Sequence, residues 1–359
     1  MATKNNLKIL ISGYYGFDNA GDEAILTAML QNFGRLWPNA SCSVLSGNPS
    51  ETTRIYGVKS IHRFHFGEII SAINSSDVFI SGGGSLLQDV TSKRSLLYYL
   101  FIIYLAKLFG KPVMLYAQGV GPINSVLMRR VTGWVLKKVD LISVRDADSA
   151  KLLLSLGLPK EKIHITADAV FMLPKAQLQD GKILLKRSGF EANAKIVGVA
   201  VRSWKEDKFI GALVDALDAL ASEGSKILLI PFQNPIDVAV AQKVSRALRH
   251  PAKILDKVNG TEEILSVMGN LDLLIGMRLH SLICAAVMGV PFVALEYDPK
   301  VASFVKGIGA ASAGDVDNLT TKKILDAAQD AYKLQVDLSA LERQAGENNL
   351  LLKQLTERS

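Results

Sequence analysis

The residue types best suited to chemistry cluster in one short stretch, Gly276-Met277-Arg278-Leu279-His280-Ser281. An apolar run, residues 271–275, leads into it, and an apolar run with helical spacing, residues 282–289, leads out. Arg278, His280 and Ser281 therefore fall where a buried parallel strand gives way to a helix N-terminus. Open α/β sheets build ligand sites at such places. A helix start offers unpaired N–H groups and a partial positive charge, both suited to a phosphate or a carboxylate. Arg278 adds a forked cation able to grip an anion at two points. His280 adds proton transfer near neutral pH. The plainer reading is that Arg278 and His280 only close a βα loop.

Other strand ends carry polar groups too. Residues 7–12 read as a strand and residues 24–33 as a helix. The turn between them holds Gly13, Gly16 and Gly21, but not with the G-x-G-x-x-G spacing of a dinucleotide site. Asp22 and Glu23 at the helix start would repel a pyrophosphate; they suit sugar hydroxyls or a general base. The alternative for Asp22 is an N-cap. Asp18 and Asn19 stand in the open loop, where capping does not explain them. Residues 77–81 form a strand that ends in Gly82-Gly83-Gly84-Ser85, with Gln88 and Asp89 one turn later. Three glycines let a backbone approach a ligand closely, or simply make a tight turn before a helix cap. Residues 113–117 end in Gln118, and residues 141–144 in Arg145.

The elements that position these groups follow a repeated strand-then-helix pattern. A chain of 359 residues fits two domains of about 150–180 residues each. Strands at residues 40–47, 55–61 and 163–166 complete a first α/β domain over residues 1–174. Residues 173–182 lack periodicity and contain Pro174 and Gly181, as a linker would. A second α/β domain spans residues 183–330. Its strand at 196–201 delivers Arg202, its strand at 226–233 precedes a helix at 236–248, and its strand at 291–295 delivers Glu296 and Lys300. Residues 331–359 read as a C-terminal helix. Cations thus gather after strands of the second domain, at Arg202, Arg278 and Lys300 with His280. The first domain offers Asp18, Asp22, Glu23, Gln88 and Asp89. A basic pocket suits an anionic donor, and a carboxylate-rich face suits a hydroxyl-rich acceptor.

Composition narrows the function classes. Hydrophobic residues make up 49% and charged residues 21%, which excludes a disordered chain. The net charge of +7 favours acidic partners. The basic residues are dispersed and form no nucleic-acid-binding signature, so no nucleic acid is expected. Cys42 and Cys284 sit in apolar segments and read as free thiols of a reducing, cytoplasmic compartment. No Cys/His cluster has ligand spacing, so no metal is expected; His62 and His65 lack a completing acid or thiol. The polar N-terminus is not a signal peptide. Residues 95–106 form the most hydrophobic run, shorter than the roughly 20 residues that span a bilayer. They read as a helix buried against a sheet, or as a peripheral membrane contact with Tyr and Lys/Arg at the interface.

Four motifs together resemble the polysaccharide pyruvyltransferases, and most closely the bacterial cell-wall type often called CsaB. They are residues 15–26 (YGFDNAGDEAIL), residues 82–89 (GGGSLLQD), Ser143-Val144-Arg145-Asp146 and Gly276-Met277-Arg278-Leu279-His280-Ser281. The resemblance implies a GT-B-like architecture, two Rossmann-like doubly wound domains facing a cleft. It implies transfer of the enolpyruvyl unit of phosphoenolpyruvate onto a sugar, with ketal formation and phosphate release. The acceptor it implies is N-acetylmannosamine on a lipid-diphosphate-linked secondary cell-wall polymer precursor, handled at the inner face of the cell membrane. It places Arg278, Leu279 and His280 in the donor site; the two anionic groups of phosphoenolpyruvate call for further cations, for which Arg202 and Lys300 are candidates, with Ser281 alongside. His280 and Arg278 are then the catalytic pair, with Asp18 or Asp22 assisting the attacking hydroxyl. Tyr15, Asn19, Glu23, Gly83, Gly84, Gln88, Asp89, Gln118 and Arg145 would face the acceptor. Cations stabilise the charge, so no cofactor is called for. Two rival readings share the fold. One is a sugar-nucleotide glycosyltransferase, for which Glu296 is the nearest ribose-binding acid. The other is a non-catalytic module that binds a glycan or lipid carrier.

Overall fold

The computed structural model describes residues 6–256 and 258–357. Its contacts divide into two compact units: Met1–Phe17, Asp22–Leu173 and Ser339–Ser359 in the first, Asp18–Gly21 and Pro174–Leu338 in the second.

The first unit runs β1 (Lys8–Tyr15), α1 (Ala20–Leu36), β2 (Ser41–Ser46), α2 (Pro49–Tyr56), β3 (Lys59–His62), α3 (Phe66–Ser75), β4 (Val78–Ser81) and β5 (Gly84–Leu87). It continues with α4 (Lys93–Leu108), β6 (Val113–Val120), α5 (Val126–Leu136), β7 (Leu141–Val144), α6 (Ala147–Ser155) and β8 (Ile163–Ile165). The strands lie in the order β3-β2-β1-β4-β6-β7-β8, with β5 paired to β6 off that path. Every pair among them is parallel. Parallel sheets are covered on both faces, so their central strands read as unbroken apolar runs; all of β4 and β6 is buried.

The second unit contains α7 (Leu178–Arg187), β9 (Ile196–Ala200), α8 (Ile210–Ser222), β10 (Lys226–Leu229), α9 (Ile236–Ala247), β11 (Ala252–Ile254) and α10 (Thr261–Met268). It ends with β12 (Leu273–Gly276), α11 (Leu279–Met288), β13 (Phe292–Glu296), α12 (Pro299–Ile308), β14 (Ala311–Asp315) and α13 (Thr321–Ala331). Its parallel sheet has the order β11-β10-β9-β12-β13-β14. Numbered within the unit, that is 3-2-1-4-5-6, the doubly wound dinucleotide-fold order.

Several elements differ from the sequence reading. Residue Ile55 lies in α2, whose Asn48 cap, Pro49 start and left-handed Gly57 stop confine strand β3 to Lys59–His62. The glycine run opens onto a short strand, β5, instead of a helix. The expected linker is partly helix: α7 docks on α10, where the Gly181 N–H donates to Ser266 Oγ at 2.6 Å. A Cβ on Gly181 would stand 2.2 Å from the Ser266 carbonyl oxygen, so only glycine permits this crossing. Strand β14 had no clear alternation to announce it. Residues 331–338 stay with the second unit, while α14 (Ser339–Glu357) joins the first. Two buried asparagines tie α14 down. Thr166 Oγ1 donates to Asn348 Oδ1 at 2.9 Å, and Tyr116 Oη donates to Asn349 Oδ1 at 2.6 Å.

Candidate active site

In the second unit the strand order reverses between β9 and β12. Ligands of doubly wound sheets bind outside the strand C-termini at this point. The Met277 N–H donates to the Ala200 carbonyl at 2.9 Å, so the two strand ends are adjacent. Arg202 follows β9 and Arg278 follows β12. Arg202 donates from Nη1 to Tyr297 Oη at 3.4 Å, and its guanidinium lies 5.1 Å from the Tyr297 ring centre. Its Nε is buried without an acceptor, and no carboxylate pairs with it among the described residues. Arg278 is held differently. It donates from Nε to Asp237 Oδ2 at 3.0 Å and from Nη2 to Asp237 Oδ1 at 2.5 Å, with Gln233 Oε1 also accepting from Nη2 at 3.1 Å. Nη1 makes no hydrogen bond to the described residues.

Asp237 is 1% exposed, at the start of α9. It also accepts from the Phe232 and Gln233 N–H groups at 3.2 and 3.0 Å. Those bonds turn Phe232 and Gln233 away from the sheet just past β10, which ends at Leu229. The diverted loop is stitched to Asp18–Gly21. Ala20 N–H donates to the Phe232 carbonyl at 2.8 Å, and Asn234 N–H to the Asp18 carbonyl at 3.1 Å. Asn19 and Gln233 form an isolated antiparallel bridge. Asp18 and Asn19 thus belong with the second unit, not with the first domain as their position in the chain suggests. Asp18 is exposed, in the left-handed region at φ 51°, which aspartate tolerates.

His280 packs on this segment. A Cβ on Gly21 would lie 2.3 Å from His280 Nδ1, so the ring rests against bare backbone. No side chain caps α11, which begins just after Arg278. Leu279 and His280 occupy its first turn, half-buried. Ser281, expected to touch the donor, is fully buried, and its hydroxyl donates to the Arg278 carbonyl at 2.7 Å. Lys300 lies in the first turn of α12, where Asp298 caps the Lys300 N–H at 2.8 Å. Glu296 accepts from Ser312 Oγ at 2.5 Å.

The residues expected to face an acceptor have mostly internal partners in the first unit. Tyr15, the last residue of β1, is fully buried. Burial, with the charges of Asp22 and Glu23 nearby, pushes its phenol pKa well up. Added Cβ atoms on Gly82 and Gly13 would lie 2.1 Å from Tyr15 Oη and 2.3 Å from its ring, so the Tyr15 ring requires both glycines. Gly83 and Gly84 leave room for α1: added Cβ atoms would meet Ile25 Cγ2 at 2.9 Å and Asp22 Oδ1 at 2.6 Å. Asp22 is not the helix cap; α1 begins at Ala20, and Asn19 Oδ1 accepts from the Gly21 N–H at 3.1 Å. Glu23 reaches back to the Gly16 N–H at 2.8 Å and accepts from Tyr56 Oη at 2.6 Å. Gln88 closes on Thr91 through two bonds of 2.9 Å. Asp89 accepts from the Asn124 and Ser125 N–H groups at 2.8 and 2.7 Å. Gln118 is fully buried, and its Nε2 has no acceptor. Arg145 donates from Nη1 to Asp168 Oδ2 at 2.5 Å and from Nη2 to Ser85 Oγ at 3.1 Å.

Four residues escaped the sequence reading: Asp237, Gln233, Asp168 and Arg63. Asp237 and Gln233 hold Arg278, and Asp168 holds Arg145. Arg63 follows β3, 8% exposed, with its guanidinium 4.1–5.4 Å from the ring centres of Phe17, Phe64, Tyr98 and Tyr99. Only an acid two to four residues into a helix after a strand hinted at Asp237.

The second unit therefore presents an uncompensated guanidinium, an oriented one, an imidazole and an exposed carboxylate. Such a set can bind an anion and move protons. Comparisons with known proteins agree with the architecture. The chain is 14% identical to Anabaena Alr3699/HepE in its complex with UDP-glucose, with a TM-score of 0.65 over 98% of this chain and 99% of that one. It is 13% identical to the UDP-GlcNAc 2-epimerase of Neisseria meningitidis bound to UDP-GlcNAc, with a TM-score of 0.64 over 98% and 100%. Identities this low speak for the fold alone, two Rossmann-like units of the GT-B kind. The amylovoran biosynthesis protein AmsJ of Erwinia amylovora is 24% identical over 270 residues, which cover 69% of this chain and 64% of AmsJ. The family model "Polysaccharide pyruvyl transferase" matches residues 19–299, and the chain belongs to that family.

Proposed function

We propose that the chain moves the enolpyruvyl unit of phosphoenolpyruvate onto a sugar and closes it to a pyruvate ketal. The observation that carries this reading is the placement of His280 against Gly21 in the unit that also holds Arg202, Arg278 and Asp18. Family membership supports the pyruvyl group and the glycan acceptor.

Phosphoenolpyruvate brings a phosphate and a carboxylate. Arg202 meets them with a full charge, because no carboxylate among the described residues pairs with it. Arg278, neutralised by Asp237, contributes direction more than net charge, through Nη1. Lys300 adds a third cation. His280 delivers a proton to the methylene carbon, and C2 becomes electrophilic. A sugar hydroxyl forms a bond to C2 and gives its proton to a carboxylate. Asp18, exposed in the same unit as His280, suits this role better than the nine-tenths-buried Asp22. The C2–O bond to phosphate then breaks, with its electron pair leaving on phosphate. A second hydroxyl of the same sugar adds to C2, its proton returns to His280, and the ketal is complete. The cations supply the charge stabilisation, so the reaction calls for no resident metal or organic cofactor. The acceptor in this reading is an N-acetylmannosamine unit of a lipid-diphosphate-linked cell-wall polymer precursor, at the inner face of the cell membrane.

The test is phosphate release from phosphoenolpyruvate with and without lipid-diphosphate amino-sugar acceptors, with products weighed. Acceptor-dependent release and a product heavier by one pyruvic acid less one water support the reading. Transfer from UDP-sugars with none from phosphoenolpyruvate would overturn it. His280→Gln should lose turnover by about 100-fold or more while remaining folded.

A further inference from the structure

We infer that one face of the first unit, built by α3, α4 and α5, docks on the surface of an anionic lipid bilayer. The inference stands on exposure and charge, and does not depend on the reaction assigned above.

α4 is apolar on all sides. Leu96, Leu100 and Ile103 point into the core, as expected. Leu97, Phe101 and Leu108 lie on the opposite stripe, 43%, 47% and 63% exposed. A surface helix of a globular protein carries charged residues there. Flanking helices extend the patch. Phe66 of α3 meets Phe101 with ring centres 5.9 Å apart. Trp134 of α5 meets Tyr104 of α4 at 4.9 Å and is itself 54% exposed. Exposed apolar patches of this kind mark interaction surfaces.

The charge around the patch decides what covers it. Residues 90–139 contain eight Lys and Arg and no Asp or Glu. Lys93 and Arg94 are exposed at the start of α4, Arg130 is exposed within α5, and Lys137 and Lys138 are exposed just past the end of α5. Lys138 Nζ lies 4.9 Å from the Trp134 ring centre, as a cation beside an interfacial indole would. Aromatic and aliphatic side chains flanked by cations along α4 and α5 match the boundary between lipid tails and anionic headgroups. A second copy of the chain would bring the same excess of positive charge against this face, so like charges would oppose a symmetric dimer. No helix among the described residues is long and apolar enough to cross a membrane. The face lies on the bilayer and does not span it.

The experiment is co-sedimentation of the whole chain with vesicles of phosphatidylcholine, with or without phosphatidylglycerol. Binding should be about ten-fold or more stronger to the anionic vesicles and should fall as salt rises. Trp134 emission should shift to the blue, and Trp134→Phe should abolish the shift. Leu97→Glu/Phe101→Glu should cut partitioning about ten-fold or more with an unchanged melting temperature and unchanged turnover on a short-chain soluble acceptor. If that pair fails to fold, Arg130→Glu/Lys138→Glu tests the same surface through its charge. No partitioning onto anionic vesicles would overturn the proposal, as would partitioning indifferent to both pairs. A concentration-dependent dimer lost in Leu97→Glu/Phe101→Glu would assign the face to a second copy and overturn it too.

Discussion

Asp237 and Arg278 form a two-point ion pair in the second unit, with Nε–Oδ2 at 3.0 Å and Nη2–Oδ1 at 2.5 Å. The carboxylate is fully buried and the guanidinium nearly so. Removing either partner strands the other. Asp237→Ala should cost about 3–5 kcal/mol. Arg278→Ala should cost less, because the Phe232 and Gln233 N–H groups still serve the carboxylate. The double variant should be more stable than the sum of the singles predicts, by about 2 kcal/mol. Denaturant unfolding of the four proteins checks this; additive costs would contradict a direct pair.

Tyr15 and Gly82 form a steric pair. Among the described residues Tyr15 Oη finds only Met29 Sδ, at 3.8 Å, so Tyr15→Phe should change stability by less than about 1 kcal/mol. Gly82→Ala places a methyl 2.1 Å from that hydroxyl and should cost about 1–3 kcal/mol. The Tyr15→Phe/Gly82→Ala pair should recover much of the loss, because the nearest ring carbon then stands at 3.2 Å. Thermal melts compare the three.

Asp89 ties the loop before α5. Burial raises its carboxyl pKa, but the Asn124 and Ser125 N–H groups outweigh burial and hold the net value below the usual range. Its stabilisation is therefore complete above the unfolded-state value of about 3.9 and disappears as pH falls through the lower folded value. Asp89→Ala should lose about 2 kcal/mol at pH 7. The gap between wild type and variant should close in acid. Unfolding midpoints measured from pH 7 down to about pH 3 show the closure or its absence.

Gly21 and His280 test the proposed chemistry. Alanine in the first turn of a helix normally favours it, by about 1 kcal/mol over glycine. Here the added methyl would meet His280 Nδ1 at 2.3 Å and its Cβ at 2.7 Å. Gly21→Ala should displace the ring and lower turnover about 10-fold or more, since small misplacements weaken proton transfer. Full turnover in a folded Gly21→Ala protein would separate His280 from the reaction.

The sheets and the family were legible in the chain. Parallel strands buried on both faces read as apolar runs, and each run is followed by loop residues and helical periodicity. The order of four long motifs carried the family, which the match over residues 19–299 supports. Such signals are local, and local signals survive without a fold.

Tertiary structure decided what each polar residue does. Asp237 lies 41 positions before Arg278, and Asp168 lies 23 after Arg145; no periodicity links such partners. Asp18–Gly21 belongs to the second unit through bonds to the 232–234 loop, although it sits within the first Rossmann-like pattern. Gly82 and Gly83 look like a ligand cradle in one dimension, yet the room they leave is filled by Tyr15 and Ile25. α14 returns to the first unit through Asn348 and Asn349, whose polar side chains mark no docking face in a charged helix. For the ion pairs and the asparagines the physical reason is the same. An apolar residue announces burial by its type alone. A polar residue can be buried only beside a specific partner, and only the folded chain brings that partner to it.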